Sequence, residues 1–184
     1  VTASQSETGT NLLMCLREVD VCNLFVGFLG DRYGWSTVGE RDSGKVDVLH
    51  RAFGTASKEF PWIEAFSDRS FTEVEWRMVL NKYSTGPEKQ AWFYHRDPYY
   101  AEEVDAKEKP IYTSEGPKSK ERLERLKTDS MNSDYEVRHY ARPNIMAEFV
   151  FEDLREYVEK KFPRDDSLSP FDRERFRHNV YRRG

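Results

Sequence analysis

Two carboxylates, Glu73 and Glu75, stand close together at the start of a helical stretch, and a loop crowded with aromatic side chains, Asp31-Arg32-Tyr33-Gly34-Trp35, lies upstream of them. A carboxylate beside such a loop can stabilise a developing cation, for example an oxocarbenium ion at a sugar carbon. The same spacing has a purely structural use. Thr72 followed three residues later by Glu75 is the T-x-x-E pattern of a capping box, and first-turn carboxylates are favoured by the helix dipole. The cap is the commoner role, and a residue can cap a helix and still line a site. Trp35, Trp62, Trp76 and Trp92 offer stacking surfaces, although a core position is the more frequent fate of tryptophan.

Other spacings carry less. Gly39-Glu40-Arg41-Asp42-Ser43-Gly44-Lys45 has the G-x-x-x-x-G-K period of a phosphate loop, but Val46 stands where a magnesium-binding hydroxyl is needed. Its two acidic side chains would also repel a triphosphate. His95-Arg96-Asp97 matches the catalytic trigram of protein kinases without the Asp-Phe-Gly and glycine-rich loop that give it meaning. A structural Arg–Asp pair at a strand end is the better expectation. The histidines at 50, 95, 139 and 178 have no partner at metal-ligand spacing, and no serine occupies a nucleophile elbow. Cys15 and Cys22, seven residues apart in one helical segment, suit neither a zinc site nor a disulfide framework and are expected to be buried thiols.

The elements that must position these residues alternate. Leu12, Cys15, Leu16, Val19 and Cys22 recur at helical spacing over 11–22, and residues 24–29 form a continuous apolar run, the pattern of a strand buried on both faces of a parallel sheet. Residues 31–45 read as loop. Residues 46–66 are helical in patches, interrupted by Pro61, and look like an insertion or lid. A helix is expected over 72–83, a second buried strand at 91–94, and a solvated helix at 118–127 that buries Leu123 and Leu126. The alternation at 135–140 predicts an edge strand, and the stripe Ile145, Phe149, Val150, Leu154, Val158, Phe162 predicts a helix over 144–162 that Pro163 ends. These elements imply an open α/β sheet with helices on both faces, whose ligands would bind beyond the carboxyl ends of the strands. That places any working surface at Gly30 to Trp35, Ser70 to Glu75 and His95 to Asp97.

The chain has 184 residues, a net charge of -4, 38% hydrophobic and 34% charged residues, which fits one domain with a heavily solvated surface. Basic and acidic residues are mixed along it, so direct DNA binding is not expected, and no metal cofactor is implied. The longest apolar run is too short to span a bilayer, and a reducing cytoplasmic compartment follows as the default. Residues 1–162 are read as the domain, and 163–184 as a charged linker and helix leading to a following domain.

Met14-Cys15-Leu16-Arg17-Glu18-Val19-Asp20, then Leu24 to Trp35, then Asp68-Arg69-Ser70-Phe71-Thr72-Glu73-Val74-Glu75, Trp92 to Asp97, Val137 to Tyr140 and 147–158 resemble a known family. It is the TIR-like N-terminal domain, a domain of unknown function, of NACHT proteins with TPR or WD40 repeats, of the nephrocystin-3 and telomerase protein component type. The resemblance implies a flavodoxin-like parallel sheet that lacks its first strand and helix here, because the strand motif that opens family members is absent. It implies a non-catalytic regulatory or scaffolding role through protein partners and self-association, in a cytoplasmic, ciliary or cytoskeletal setting. A second implication comes from TIR domains that cleave NAD. Their catalytic glutamate corresponds in position to Glu75, with Tyr33 or Trp35 stacking on a base, Arg32 meeting phosphate, and Ser70 and Arg96 completing the ligand surface. A purely structural part in a large assembly is the third reading.

Overall fold

The structure is a computed structural model that describes residues 10–36, 43–86, 89–114, 116–162 and Phe171. The Gly39 to Asp42 part of the phosphate-loop-like segment and nearly all of 163–184 lie outside the described residues. The chain divides into two compact units, Val1–Met146 and Ala147–Gly184.

In the first unit, α1 (Asn11–Val21) leads through Cys22 directly into β1 (Leu24–Leu29). Then come α2 (Ser43–Ala56), a 3-10 turn (Pro61–Phe66) and α3 (Phe71–Leu80), followed by β2 (Gln90–Arg96). Two one-turn helices, α4 (Tyr100–Glu103) and α5 (Lys109–Tyr112), precede α6 (Pro117–Met131) and β3 (Glu136–Tyr140). Proline at the first position of α6 costs no hydrogen bond, because that N–H would be unpaired in any case. The helix α7 (Pro143–Lys161) runs on into the second unit, where Phe151, Val158 and Phe162 are at least half exposed and Phe149, Val150 and Leu154 are half-buried.

The three strands form one parallel sheet in the order β1-β2-β3, with Gly27 beside Phe93 and Phe93 beside Val137. The α/β class and the open parallel sheet expected from the alternating elements are therefore present. β2 is buried along most of its length because it has a strand on each side, whereas β3, among the described residues, pairs only with β2, as an edge strand should. β1 departs from expectation. Its run of apolar residues is not buried on both faces: Phe28 is 43% exposed and Leu24 to Val26 are half-buried, since among the described residues β1 too has a strand on one side only.

Two clusters make the core, and α3 belongs to both. Val74 and Met78 pack with Leu12 and Leu16 of α1, Ala52, Phe53 and Ala56 of α2, Phe60 and Ile63. Trp76 and Val79 pack on the sheet with Leu29, Tyr33, Ala91, Phe93, Leu123 and Leu126. Each fully buried leucine or phenylalanine contributes about 1.5–3 kcal/mol by leaving water. Residues 46–66, read from the sequence as an insertion or lid, thus form a wall of the first core, and the helix α2 begins already at Ser43, inside the stretch expected to be loop. The indole of Trp76 lies so close to β1 that a Cβ on Gly27 would sit 2.7 Å from it. Glycine is the residue that permits this approach.

α3 itself differs in detail from the expected helix over 72–83. It begins at Phe71 and is capped by Ser70, whose hydroxyl accepts from the Glu73 N–H at 3.2 Å. The cap therefore sits two residues earlier than the Thr72–Glu75 box, and Ser70-Phe71-Thr72-Glu73 carries the S-x-x-E signature. The alternative fails because Thr72 already lies inside the helix and not at its cap, and the Glu75 N–H it would have to accept from falls within the helix's own hydrogen-bond ladder. At the other end the Tyr83 N–H bonds the Met78 carbonyl at 3.0 Å and the Lys82 N–H bonds the Val79 carbonyl at 3.1 Å. This is a Schellman ending with Lys82, at φ 55°, in the left-handed position that usually holds glycine.

Candidate functional site

The loop leaving β1 is shaped by two glycines. A Cβ on Gly30 would lie 2.6 Å from the Arg96 guanidinium, and Gly34 takes φ 90°, which turns the chain so that Tyr33 goes inward and Trp35 outward. Tyr33 is 2% exposed, whereas Trp35 is 44% exposed with the Lys45 ammonium 5.3 Å above its ring. Arg32 is exposed beside them.

The Tyr33 hydroxyl donates to the carboxylate of Glu73 in a short hydrogen bond and accepts from the Ser70 N–H at 3.3 Å. Glu73, only 1% exposed, also receives Arg77 through Nε at 3.1 Å and Nη2 at 3.0 Å, and Arg69 lies 3.8 Å away. Arg77 in turn reaches Asp129 of α6 at 2.7 Å. Burial, then the Glu73 carboxylate, push the Tyr33 phenol up to about 12, so it stays a donor. A buried carboxylate is tolerable only with such a set of partners.

A second cluster closes over the end of β2. Asp31 accepts from Arg96 at 3.4 Å and from Lys127 of α6 at 3.3 Å, and the Arg96 guanidinium also donates to the Tyr112 carbonyl at 3.4 Å. The rings of Tyr100 and Tyr112 lie 4.8 and 5.3 Å from that guanidinium. Ser114 stitches the clusters together, donating to the Asp31 carbonyl at 3.0 Å and accepting from the Tyr33 N–H at 3.2 Å. The expected Arg96–Asp97 pair does not form. Asp97 instead accepts the Tyr99 N–H at 3.0 Å, because its short side chain folds back on its own turn. His95 is buried with Nε2 3.0 Å from the Ser130 hydroxyl, and burial, then the nearby His139 and Lys127, lower it to about 4, leaving it uncharged near neutrality.

Glu75 faces elsewhere. Its carboxylate lies beside the thiol of Cys15 on α1, and burial raises its carboxyl while the thiol lowers it. Cys15 is pushed up to about 11, by burial first and then by the charge and hydrogen bond of Glu75. Cys15 and Cys22 are half-buried rather than buried. Since the thiolate is the reactive species, iodoacetamide at pH 8 is expected to alkylate Cys15 slowly, and Glu75→Gln to speed that reaction several-fold. An unchanged rate in Glu75→Gln would mean that the two side chains do not meet.

Of the sequence candidates, Tyr33 and Ser70 come together around Glu73, Arg96 joins them through Asp31 and Ser114, Arg32 and Trp35 lie on the exposed side of the loop, and Glu75 points to α1. The partner set of Glu73 was the feature that sequence reasoning missed. Its signals were present in the i,i+4 spacing of Glu73 and Arg77 and in the Ser70–Glu73 capping pattern. Lys127, 96 residues from Asp31, left none. Among the described residues no group of acidic, histidine or cysteine side chains is arranged to hold a metal, and no helix is long and apolar enough to cross a membrane.

Comparison with known proteins gives a family described as "Domain of unknown function (DUF4062)", matching residues 1–160. A TPR repeat-containing protein of Dictyostelium discoideum is 41% identical over 182 residues, covering 98% of this chain and 11% of the relative. Telomerase protein component 1 of Rattus norvegicus is 33% identical over 129 residues, and that of Mus musculus 32% over 128, each covering 69% of this chain and 4% of the relative. The chain thus spans a small fraction of these relatives. No solved structure matches it significantly.

Proposed function

This chain belongs to the DUF4062 family, and from that premise we propose that it is a TIR-like interaction domain of a large NACHT-type multidomain protein. It regulates or scaffolds through protein partners and self-association and performs no catalysis. The observation that supports this reading is how the charges at the strand ends are spent. Glu73 is enclosed by Tyr33, Arg77 and Arg69, and Asp31 by Arg96 and Lys127, so the inward-facing groups brace the loops instead of converging on a reacting atom. Exposed around the strand ends are Trp35, Tyr99 and Ile111, each at least 44% exposed, and Arg32, three residues before Trp35. Rigid loops bearing aromatic residues and arginine are the composition of a protein-binding surface. The long relatives, one of them TPR repeat-containing, fit a module that works among other modules. The compartment proposed is cytoplasmic, with a ciliary or cytoskeletal site as a special case.

The rival reading is NAD cleavage with Glu75 as the catalytic carboxylate. It draws on one feature: unlike Glu73, Glu75 meets a thiol rather than a guanidinium, and burial holds its carboxyl above the ordinary range. Both readings are tested by incubating the chain with NAD across a concentration series while its association is followed by sedimentation velocity. The interaction reading expects concentration-dependent association without nicotinamide release. Release that disappears in Glu75→Gln, with an unchanged melting midpoint, would establish the enzyme instead. A chain that stays monomeric and also leaves NAD intact would favour a purely structural part.

A further inference from the structure

One helix, α6, ties down the strand-end loops from the side. Its Lys127 reaches Asp31 at 3.3 Å, its Asp129 reaches Arg77 at 2.7 Å, and its Arg122 bonds Asp68 ahead of α3. The same helix meets the middle of the sheet through Ser130. That side chain is fully buried, and its hydroxyl stands 3.0 Å from Nε2 of the buried His95.

The hydrogen bonds assign the proton of that ring. Ser130 has one hydroxyl proton and donates it to the Lys127 carbonyl at 2.8 Å. Toward His95 the hydroxyl therefore accepts, so Nε2 carries the ring proton and Nδ1 keeps a lone pair. Nδ1 is buried and has no hydrogen-bond partner. A second proton would thus create a buried N–H without an acceptor and a charge in the core. The neighbours on every side oppose it as well. Trp76 of α3 stacks on the ring at 6.0 Å, Leu29 of β1 lies beside it in the sheet register, His139 of β3 stands edge-on at 5.3 Å, and Lys127 of α6 is a cation. The Asp31 carboxylate beyond Lys127 is shared with Arg96, and Asp129 is paired with Arg77.

Burial first, then His139 and Lys127, hold the ring at about 4, against 6.5 for an ordinary histidine. The folded chain therefore binds this proton more weakly than the unfolded chain does. The stability that His95 contributes is whole above pH 6.5 and is lost as pH falls toward 4. We propose that His95 is an acid-sensitive clasp, whose protonation drives the ring out from between α6 and β3 and so releases the pairs by which α6 braces the strand-end loops. That edge is the one that yields because β3, among the described residues, pairs with β2 alone. The consequence for a bound partner rests on the interaction reading given above. The clasp itself does not, since it is measured with no partner present.

The test is made on the full chain at pH 7.5 and pH 5.5. Nitrogen-15 NMR of the histidine rings should show His95 as the Nε2–H tautomer at the higher pH and still uncharged in the folded chain at the lower. Hydrogen exchange, corrected for intrinsic rates, should show α6 and β3 losing about tenfold protection at pH 5.5, the factor that a lowering from 6.5 to about 4 gives there. Peptides of α1 and α2 should keep theirs. In His95→Gln, whose amide stays uncharged and can still donate to Ser130, α6 should lose no protection over this range. If that variant does not fold, the tautomer and the regional exchange of the unsubstituted chain decide. A proton on Nδ1 at pH 7.5, a charged ring in the folded chain at pH 5.5, an equal loss across all elements, or the same loss in His95→Gln would each overturn the proposal.

Discussion

Glu73→Ala is expected to destabilise the chain by about 3–5 kcal/mol, the cost of breaking a buried ionic set from one side. The carboxylate is 1% exposed and holds Tyr33, Arg77 and Arg69. Removing it leaves the Tyr33 hydroxyl without its acceptor and Arg77 with Asp129 as its remaining carboxylate partner. Tyr33→Phe should cost only about 1–2 kcal/mol, since it deletes the bonds of one hydroxyl, to Glu73 and from the Ser70 N–H, and keeps the ring in the core. The two substitutions share a contact, so their effects will not add: the double variant should fall short of the sum by about 1 kcal/mol. Urea unfolding followed by far-UV circular dichroism measures all three. A cost below about 1 kcal/mol for Glu73→Ala would mean that the carboxylate is not enclosed as described.

Gly27→Ala should cost about 3 kcal/mol, the upper part of the range for overpacking. The new methyl would lie 2.7 and 2.8 Å from the Trp76 indole and 2.9 Å from the Phe93 ring, both buried. Neither ring is the free end of a flexible chain: Trp76 sits 4.4 Å from Phe93 and stacks on His95 at 6.0 Å. The strand must therefore shift away from α3 or the indole must leave its place. Trp76→Leu opens the space and should cost several kcal/mol alone, yet in that background Gly27→Ala should be almost neutral. Thermal and urea unfolding of the four proteins give the coupling directly. Full additivity would sink the claim that indole and glycine share one space.

Much of the framework could be read from residue order. The apolar runs at 24–29 and 91–94 and the alternation at 135–140 are local signals, and each falls on a strand, Leu24–Leu29, Gln90–Arg96 and Glu136–Tyr140. Leu123 and Leu126 were the expected buried side of the helix that runs from Pro117 to Met131. Where local signals were ambiguous, the outcome depended on neighbours. Two capping patterns overlap between Ser70 and Glu75, and the one at Ser70 prevails because Glu73 then turns inward to Tyr33 and Arg77. Residues 46–66 look broken in sequence, but Ala52, Phe53, Ala56 and Ile63 find a shared partner in α1 and α3.

By itself, then, the order of residues determined the α/β class, the parallel strands and the stretches of chain near which a site must lie, because hydrophobic period and turn chemistry act over a few residues. Only the tertiary structure decided which carboxylate each loop meets. Glu73 and Glu75 are two positions apart on one helix and so point in different directions, one toward Tyr33 and the other toward Cys15. Asp31 finds Arg96 and Lys127 across long spans of chain for the same reason that Ser114 meets Tyr33. Charge pairing and burial depend on distance in space, and that distance is fixed only when the cores on either side of α3 have closed.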